Sequence, residues 1–242
     1  MSATKVALVT GGGRGIGAAC CRALSDAGFR VAVHYRSSAA EAEELAAKLP
    51  DAFPVRADLA LPEEIDALVA QLKERVGRLD VLVNNAGFNR NGLTPAMKLE
   101  HYDEVAAMAR GTWYLTKLAL RRFMLRQDAG RIINITSVVG HTGNPGQVPY
   151  TMVKAALDAL TKSLAQELAG RPILVNSVAP GFIDTDMTAA LPEPIREAIL
   201  GRIPLRRMGT PEEVAEVVAW LATGASYVHG TVIHVNGGMY GG

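Results

Sequence analysis

Tyr150 and Lys154 stand at i and i+4 in the stretch PYTMVK, Pro149 to Lys154, where the chain reads as the start of a helix. On a helix such residues share a face about 5–6 Å apart, which brings the ammonium near the phenol. At an effective dielectric near 20, a charge ~5.5 Å away favours the phenolate by about 3 kcal/mol, or roughly two pKa units on a group that titrates near ~10. That predicts an acid useful near neutral pH. The same spacing is common on ordinary helix surfaces, so the pair means chemistry only in company.

A second group supplies that company. VTGGGRGIG, Val9 to Gly17, follows an apolar run and opens a helix, the context in which a glycine pattern binds phosphate. Gly11, Gly15 and Gly17, with Ile16 between the last two, allow a tight turn, close approach of a pyrophosphate to backbone N–H groups, and close helix–strand packing. A dinucleotide is the natural ligand. Its type is read after the second apolar run, VAVHYRSS, where an acid would take ribose hydroxyls and a base a 2′-phosphate. No acid is present; Tyr35, Arg36, Ser37 and Ser38 offer a cation and hydroxyls, and Arg14 stands in the glycine turn. NADP(H) is the expected cofactor, with Asp58 and Leu59 bordering its adenine. The plainer alternatives are a glycine-rich loop, a solvated Arg36 and a helix-capping role for ADLALPEE.

The elements that must position these residues alternate. Apolar, β-branched runs recur as KVALVT, RVAVHY, FPVRAD, DVLVNN, RIINIT, ILVNSV and TVIHV, separated by helical spacing over 15–28, 41–49, 62–76, 101–126, 150–169 and 211–223. Strand and helix in alternation predict right-handed crossovers and one α/β domain, 1–242, whose doubly wound, Rossmann-type parallel sheet of seven strands is covered on both faces. Residues 184–207, with Pro192, Pro194 and Pro204, break the rhythm and read as a flap over a site. A chain of 242 residues, 49% hydrophobic and 20% charged, can bury such a core. Its formal net charge of +1 and short arginine groups argue against nucleic acid. Cys20 and Cys21 are adjacent within a helix, so they read as packing residues in a reducing compartment. No stretch approaches the ~20 apolar residues of a membrane span, and a soluble cytoplasmic protein without a metal site is expected.

Taken together, TGGGRGIG at 10–17, NNAG at 84–87, Ser137 after a strand, YTMVK at 150–154, APGFIDTDM at 179–187 and HVNGGM near the C-terminus resemble the short-chain dehydrogenase/reductase family over essentially the whole chain. ITSVVG, GNPGQVPY and VNSVAPGFIDTDM are most similar to its reductases of β-ketoacyl groups carried on acyl carrier protein, in fatty-acid, polyketide or polyene synthesis. The resemblance implies that Tyr150 donates a proton to a carbonyl oxygen as hydride reaches its carbon. Lys154 would lower the tyrosine pKa and hold the nicotinamide ribose, and Ser137 would bond the same oxygen. Asn84, Asn85, Ala86 and Gly87 would shape the cofactor wall, while Pro180, Gly181, Ile183 and Thr185 would take the carboxamide and phosphate end. Two other readings stay open, namely a reductase or dehydrogenase of a free alcohol, sugar or steroid, and a non-catalytic NADP(H)-binding sensor or scaffold.

The resemblance further implies a homo-oligomer, a tetramer, packed through the two long helices, with Met152, Ala155 and Ala159 as apolar outer residues. Arg171 matches a carrier-binding arginine; Asp128 stands near the place of a second, and Arg122 and Arg126 either substitute for it or are solubilising charges of the helix. An asparagine that the family carries in a helix kink is missing from YDEVAAMARGTWYLTK. Met108 or Ala109 occupies its place, and Gly111 nearby offers another source of bending.

Overall fold

The strands take shape where β-branched and aliphatic residues run together, with arginines only near strand ends. In β1 (Val6–Val9) all four side chains are buried, Ala7 and Val9 into the core on one face of the sheet, Val6 and Leu8 into the core on the other. A strand buried on both faces lies in the middle of a covered parallel sheet. The computed structural model describes residues 4–189 and 192–241. After β1 come α1 (Gly15–Asp26), β2 (Arg30–Tyr35), α2 (Ala39–Lys48), β3 (Phe53–Arg56), α3 (Pro62–Arg75) and β4 (Val81–Asn84). The second half continues through α4 (Leu99–Arg122), β5 (Gly130–Ile135), α5 (Val139–Thr142), α6 (Val148–Glu167) and β6 (Ile173–Pro180). It ends with α7 (Asp186–Ala189), α8 (Glu193–Arg202), α9 (Pro211–Thr223) and β7 (Val232–Val235).

All six strand pairings are parallel, and the sheet order is β3-β2-β1-β4-β5-β6-β7. This is the doubly wound α/β arrangement read from the strand–helix alternation. One core gathers buried residues of α1, α2 and α9; the other gathers those of α3, α4 and α6. Because the chain reverses its direction of travel between β1 and β4, the loops after these two strands diverge and leave a crevice at their carboxyl ends. The glycine turn, the basic end of β2, the loop after β4 and the Ser137 loop each follow a strand on that side.

Several boundaries differ from the sequence reading for identifiable reasons. The helix expected over 101–126 stops at Arg122, because Phe123 and Met124 turn inward, 2% and 0% exposed, and the backbone tightens into a 3-10 turn over Met124–Arg126. The turn is held by Gln127, whose side-chain amide accepts from Leu79 N and donates to Leu79 O. A one-turn helix, α5, lies between Ser137 and Tyr150 where no element was expected. The expected flap contains α7 and α8, and its base is closed by a parallel bridge between Ile183 and Gly209. Of that flap, Ala190 and Leu191 lie outside the described residues, as do Met1–Ala3 and Gly242 of the chain ends. At the flap's exit a capping box between Thr210 and Glu213 starts α9, and the Glu213 carboxylate also receives Arg207. Cys20 and Cys21 are both buried and unpaired, and burial pushes the Cys20 thiol up to about 12. Both act as packing residues. Among the described residues no helix is long and apolar enough to cross a membrane.

Candidate active site

The crevice is a cleft of about 680 Å³, within the ~300–1,000 Å³ range of ligand sites, and every residue proposed from the sequence for catalysis or cofactor contact except Asn84 lines it. Asn84 alone among the residues named there turns away. Its amide donates to Thr116 Oγ1 and Asn134 Oδ1, tying β4 to α4 and β5 beneath the cleft. It is a core residue because its place is still within the strand, one residue before the chain leaves the sheet.

The glycine turn is tight for a steric reason. Gly11 and Gly15 have φ of +63° and +51°. A Cβ on Gly17 would stand 2.1 Å from Gly11 O, so no side chain fits without opening the turn. Thr10 links this turn to the loop after β4, its hydroxyl accepting from Asn85 N and Ala86 N at 2.9 Å each. Asn85 returns the contact through Nδ2, which donates to Thr10 O and Gly11 O. His34 completes the brace. Gly11 N donates to its Nδ1 at 3.0 Å, so the ring proton sits on Nε2 and is donated to Ala57 O at 3.0 Å. Burial pushes His34 down to about 4, against the pull of the Ala57 bond and the Asp58 charge. Thr10 and His34 escaped the sequence reading because their partners are brought by the sheet. Such a cradle, with backbone N–H groups at the start of α1, fits a pyrophosphate.

At the outer end of the cradle, Arg14, Arg36 and Ser37 are exposed, and neither arginine has a carboxylate partner among the described residues. The Arg36 guanidinium rests 5.5 Å from the Phe88 ring centroid. Asp58 is held by its own turn, Oδ1 accepting from Ala60 N, and Leu59 O faces Gly111 so closely that a Cβ there would come within 2.0 Å. Gly111 therefore serves the close approach of α4 to this loop.

The inner end carries Ser137, Tyr150 and Lys154. Thr136 N and Val138 N donate to Val178 O and Pro180 O, pinning the Ser137 loop to the end of β6. Tyr150 lies in the first turn of α6, which begins at Val148, two residues before the sequence reading put it. Lys154 is 4% exposed and donates to Ile135 O at 2.8 Å, its Nζ 5.5 Å from the centroid of the Tyr150 ring. The electrostatics correct the expectation of a phenol lowered by its lysine. Burial pushes Tyr150 up to about 12, opposed by a hydrogen bond with Ser137, while burial draws Lys154 down to about 8, opposed by the charge of Asp158. The pair rule counted the attraction and left out desolvation, which penalises both charged forms.

Around these groups, Ala86 and Gly87 form one wall, where a Cβ on Gly87 would meet Lys154 Nζ at 3.5 Å and Met108 Sδ at 3.7 Å. Met108 reaches this wall, its sulfur 3.2 Å from Phe88 N. On the opposite wall, Pro180 and Gly181 end β6, Ile183 is buried, and Thr185 closes toward the glycine turn. Met152 and Ala159 are exposed on α6 as expected of outer residues, but Ala155 lies under α5, where a Cβ on Gly140 would stand 3.1 Å from its backbone nitrogen. Arg171 is exposed at the start of β6, at the amino ends of the strands.

Known proteins resemble this chain over its full length. The sequence profile described as enoyl-(acyl carrier protein) reductase matches residues 11–240. A 3-oxoacyl-[acyl-carrier-protein] reductase of Staphylococcus aureus is 46% identical over 99% of this chain and 100% of its own. Those of Aquifex aeolicus and Synechocystis are 49% identical over 98% of this chain and 97% of theirs, and 45% identical over 97% and 96%. With the sheet order, the glycine cradle and the Ser137–Tyr150–Lys154 cluster in one cleft, these matches mean that the chain belongs to the short-chain dehydrogenase/reductase family.

Proposed function

We propose that this chain, a single domain over 1–242, reduces β-ketoacyl thioesters carried on acyl carrier protein to the β-hydroxyacyl thioesters, using NADPH, in the cytoplasm and as a homo-oligomer. The observation that carries this reading is the joint position of Ser137, Tyr150 and a buried Lys154 in the cleft that holds the glycine cradle. Relatives at 45–49% identity bearing the name 3-oxoacyl-[acyl-carrier-protein] reductase support the substrate class.

Gly11, Gly15, Ile16 and Gly17 would hold the pyrophosphate, Arg14, Arg36, Tyr35 and Ser37 the 2′-phosphate side, and Asp58 and Leu59 the adenine. Asn85, Ala86 and Gly87 on one wall, and Pro180, Gly181, Ile183 and Thr185 on the other, would enclose the nicotinamide end. Once bound, NADPH supplies the hydride. Two hydroxyls then meet one carbonyl oxygen. Ser137 donates a hydrogen bond to it and fixes its direction, and Tyr150 transfers its proton as the oxygen gains charge. A phenol held near 12 keeps that proton at neutral pH, as a donor must. An alkoxide is a far stronger base than a phenolate and takes it. Lys154, as ammonium, offsets the charge left on Tyr150.

Arg171 adds a geometric condition. A carrier protein docked there would face the amino ends of the strands, and the 8 residues of β6 put about 26 Å of sheet between it and the cleft of its own chain. Docking at Arg171 therefore serves the cleft of another subunit, which joins the carrier-protein reading to the oligomeric one.

The test is a substrate panel of β-ketoacyl groups on carrier protein, on coenzyme A, and free ketones, each with NADPH and NADH, followed by loss of nicotinamide absorbance. Turnover on the thioesters with NADPH is expected. Turnover confined to free ketones would make this a small-molecule reductase, and NADPH binding without any turnover would leave a cofactor-binding protein.

A further inference from the structure

One turn beyond Lys154 on the same face of α6, Asp158 is buried, 4% exposed, and neither of its oxygens has a hydrogen bond among the described residues. An unsatisfied buried carboxylate is costly unless a charge compensates it. Two basic side chains are placed to do so. His141 of α5 brings Nε2 to 3.0 Å from Oδ2, an ion pair's distance without a hydrogen bond's alignment. Lys154, at i−4, is the other.

The elements make this contact inescapable. Gly140 presses α5 onto the backbone of α6, since a Cβ there would stand 3.1 Å from Ala155 N and 3.3 Å from Lys154 Cβ. The next residue, His141, is thereby aimed along α6 toward Asp158. Its ring is packed edge-on against His234 of β7, centroids 4.8 Å apart, and stacks on Tyr240 of the C-terminal segment at 5.3 Å. The groups facing Asp158 are thus Lys154 on its own helix, His141 from α5, and His234 and Tyr240 behind His141. The His234 imidazole is held below its usual range by burial and by His141, against the pull of Asp158.

We propose that Asp158, with its charge cancelled or uncovered by His141, is a positioning residue that holds Lys154 in its ammonium form and so sets the upper pH limit of turnover. This rests on the reading that Lys154 serves the reaction as a cation. When His141 is an imidazolium the pair is neutral overall and Lys154 gains little from it. When His141 is neutral the carboxylate is uncompensated, and its attraction falls on Lys154. The counter-charge is therefore strongest on the alkaline side, where a buried lysine most readily gives up its proton. Asp158 opposes the desolvation of Lys154, consistent with that direction.

The experiment compares the pH dependence of kcat under saturating NADPH and β-ketoacyl thioester for wild type, Asp158→Leu, which removes the charge and fills the space with apolar atoms, and His141→Arg, which cancels it permanently from a partly exposed position. Lys154→Met is the control. Both test variants should lose activity at a pH about one unit lower than wild type, with kcat on the acid side little changed. Trace acetylation of Lys154 with acetic anhydride, read by peptide mass spectrometry, should show the same displacement without any turnover. Folded variants, judged by NADPH binding, whose alkaline limb and labelling midpoint coincide with wild type overturn the inference and leave the active-site reading intact. If instead Lys154→Met turns over normally, the active-site reading fails and the inference with it.

Discussion

His34 should make the glycine cradle sensitive to acid. Its Nδ1 accepts from Gly11 N and its Nε2–H donates to Ala57 O, so the folded protein holds a neutral ring of one tautomer. Protonation turns the acceptor into a donor facing a donor, and burial pushes the group down from 6.5 to about 4. Because the folded value is the lower one, the stabilisation is complete above the unfolded value of ~6.5, declines as the unfolded chain takes up a proton, and is gone by about pH 4. A displacement of this size amounts to about 3 kcal/mol, with a slope near 1.4 kcal/mol per pH unit. The assay is urea unfolding at a series of values between pH 4.5 and 8, at fixed protein concentration because assembly contributes to stability. His34→Gln retains a donor and an acceptor and cannot titrate. It should be less stable than wild type at pH 8, and the difference should shrink as the pH falls. His234 and the paired carboxylates titrate equally in both proteins and cancel. Parallel stability curves for the two proteins would refute the argument. So would NADPH affinity falling equally in both between pH 7 and 5, since His34 holds Gly11.

Tyr150→Phe should abolish turnover on carrier-bound substrate while leaving NADPH affinity within a few-fold, read by quenching of intrinsic fluorescence; a surviving rate above one per cent of wild type would remove Tyr150 from the role of proton donor. Arg36→Asp should weaken NADPH about a hundredfold and NADH little, as expected for an exposed cation with no competing carboxylate meeting a phosphate, and equal use of both cofactors by wild type would contradict that assignment. Inserting asparagine between Met108 and Ala109 should raise the steady-state rate more than the single-turnover rate, because Met108 offers Phe88 N only a sulfur at this place. Arg171→Glu and Tyr150→Phe chains should each be inactive on carrier-bound substrate as pure proteins, and should regain activity when mixed into one oligomer; no recovery in verified mixed oligomers would sink the cross-subunit docking geometry.

What could be read from the sequence was whatever depends on neighbours along the chain. The glycine turn was legible because its conformational demand falls on Gly11, Gly15 and Gly17 themselves, and the strands because burial on both faces leaves an unbroken apolar run. The basic end of β2 was legible by its residue types alone. His34 was not, since a histidine in a strand says nothing until the β1–β2 and β2–β3 registers bring Gly11 and Ala57 to its two nitrogens. The one-turn helix α5 was too short for periodicity to register, and with it went the contact of His141 with Asp158. The end of α4 depends on a pocket for Phe123 and Met124 that only the packed sheet creates.

The Tyr150–Lys154 pair shows the same limit in its energetics. Spacing on a helix fixes the attraction between the two groups, and that part of the reading holds, with Nζ 5.5 Å from the ring centroid. Their ionisation is fixed by how much water each keeps, and water is excluded by residues far away in sequence: Ile135 at the end of β5, Gly87 after β4, and α5 over the helix backbone. Burial therefore moves the two groups in opposite senses, the phenol up to about 12 and the ammonium down to about 8. A donor and a cation remain across neutral pH, as the proposed proton transfer from Tyr150 requires. Between about 8 and 12 the lysine loses its charge before the tyrosine loses its proton. Raising the pH thus removes the charge that would stabilise a phenolate before one can form.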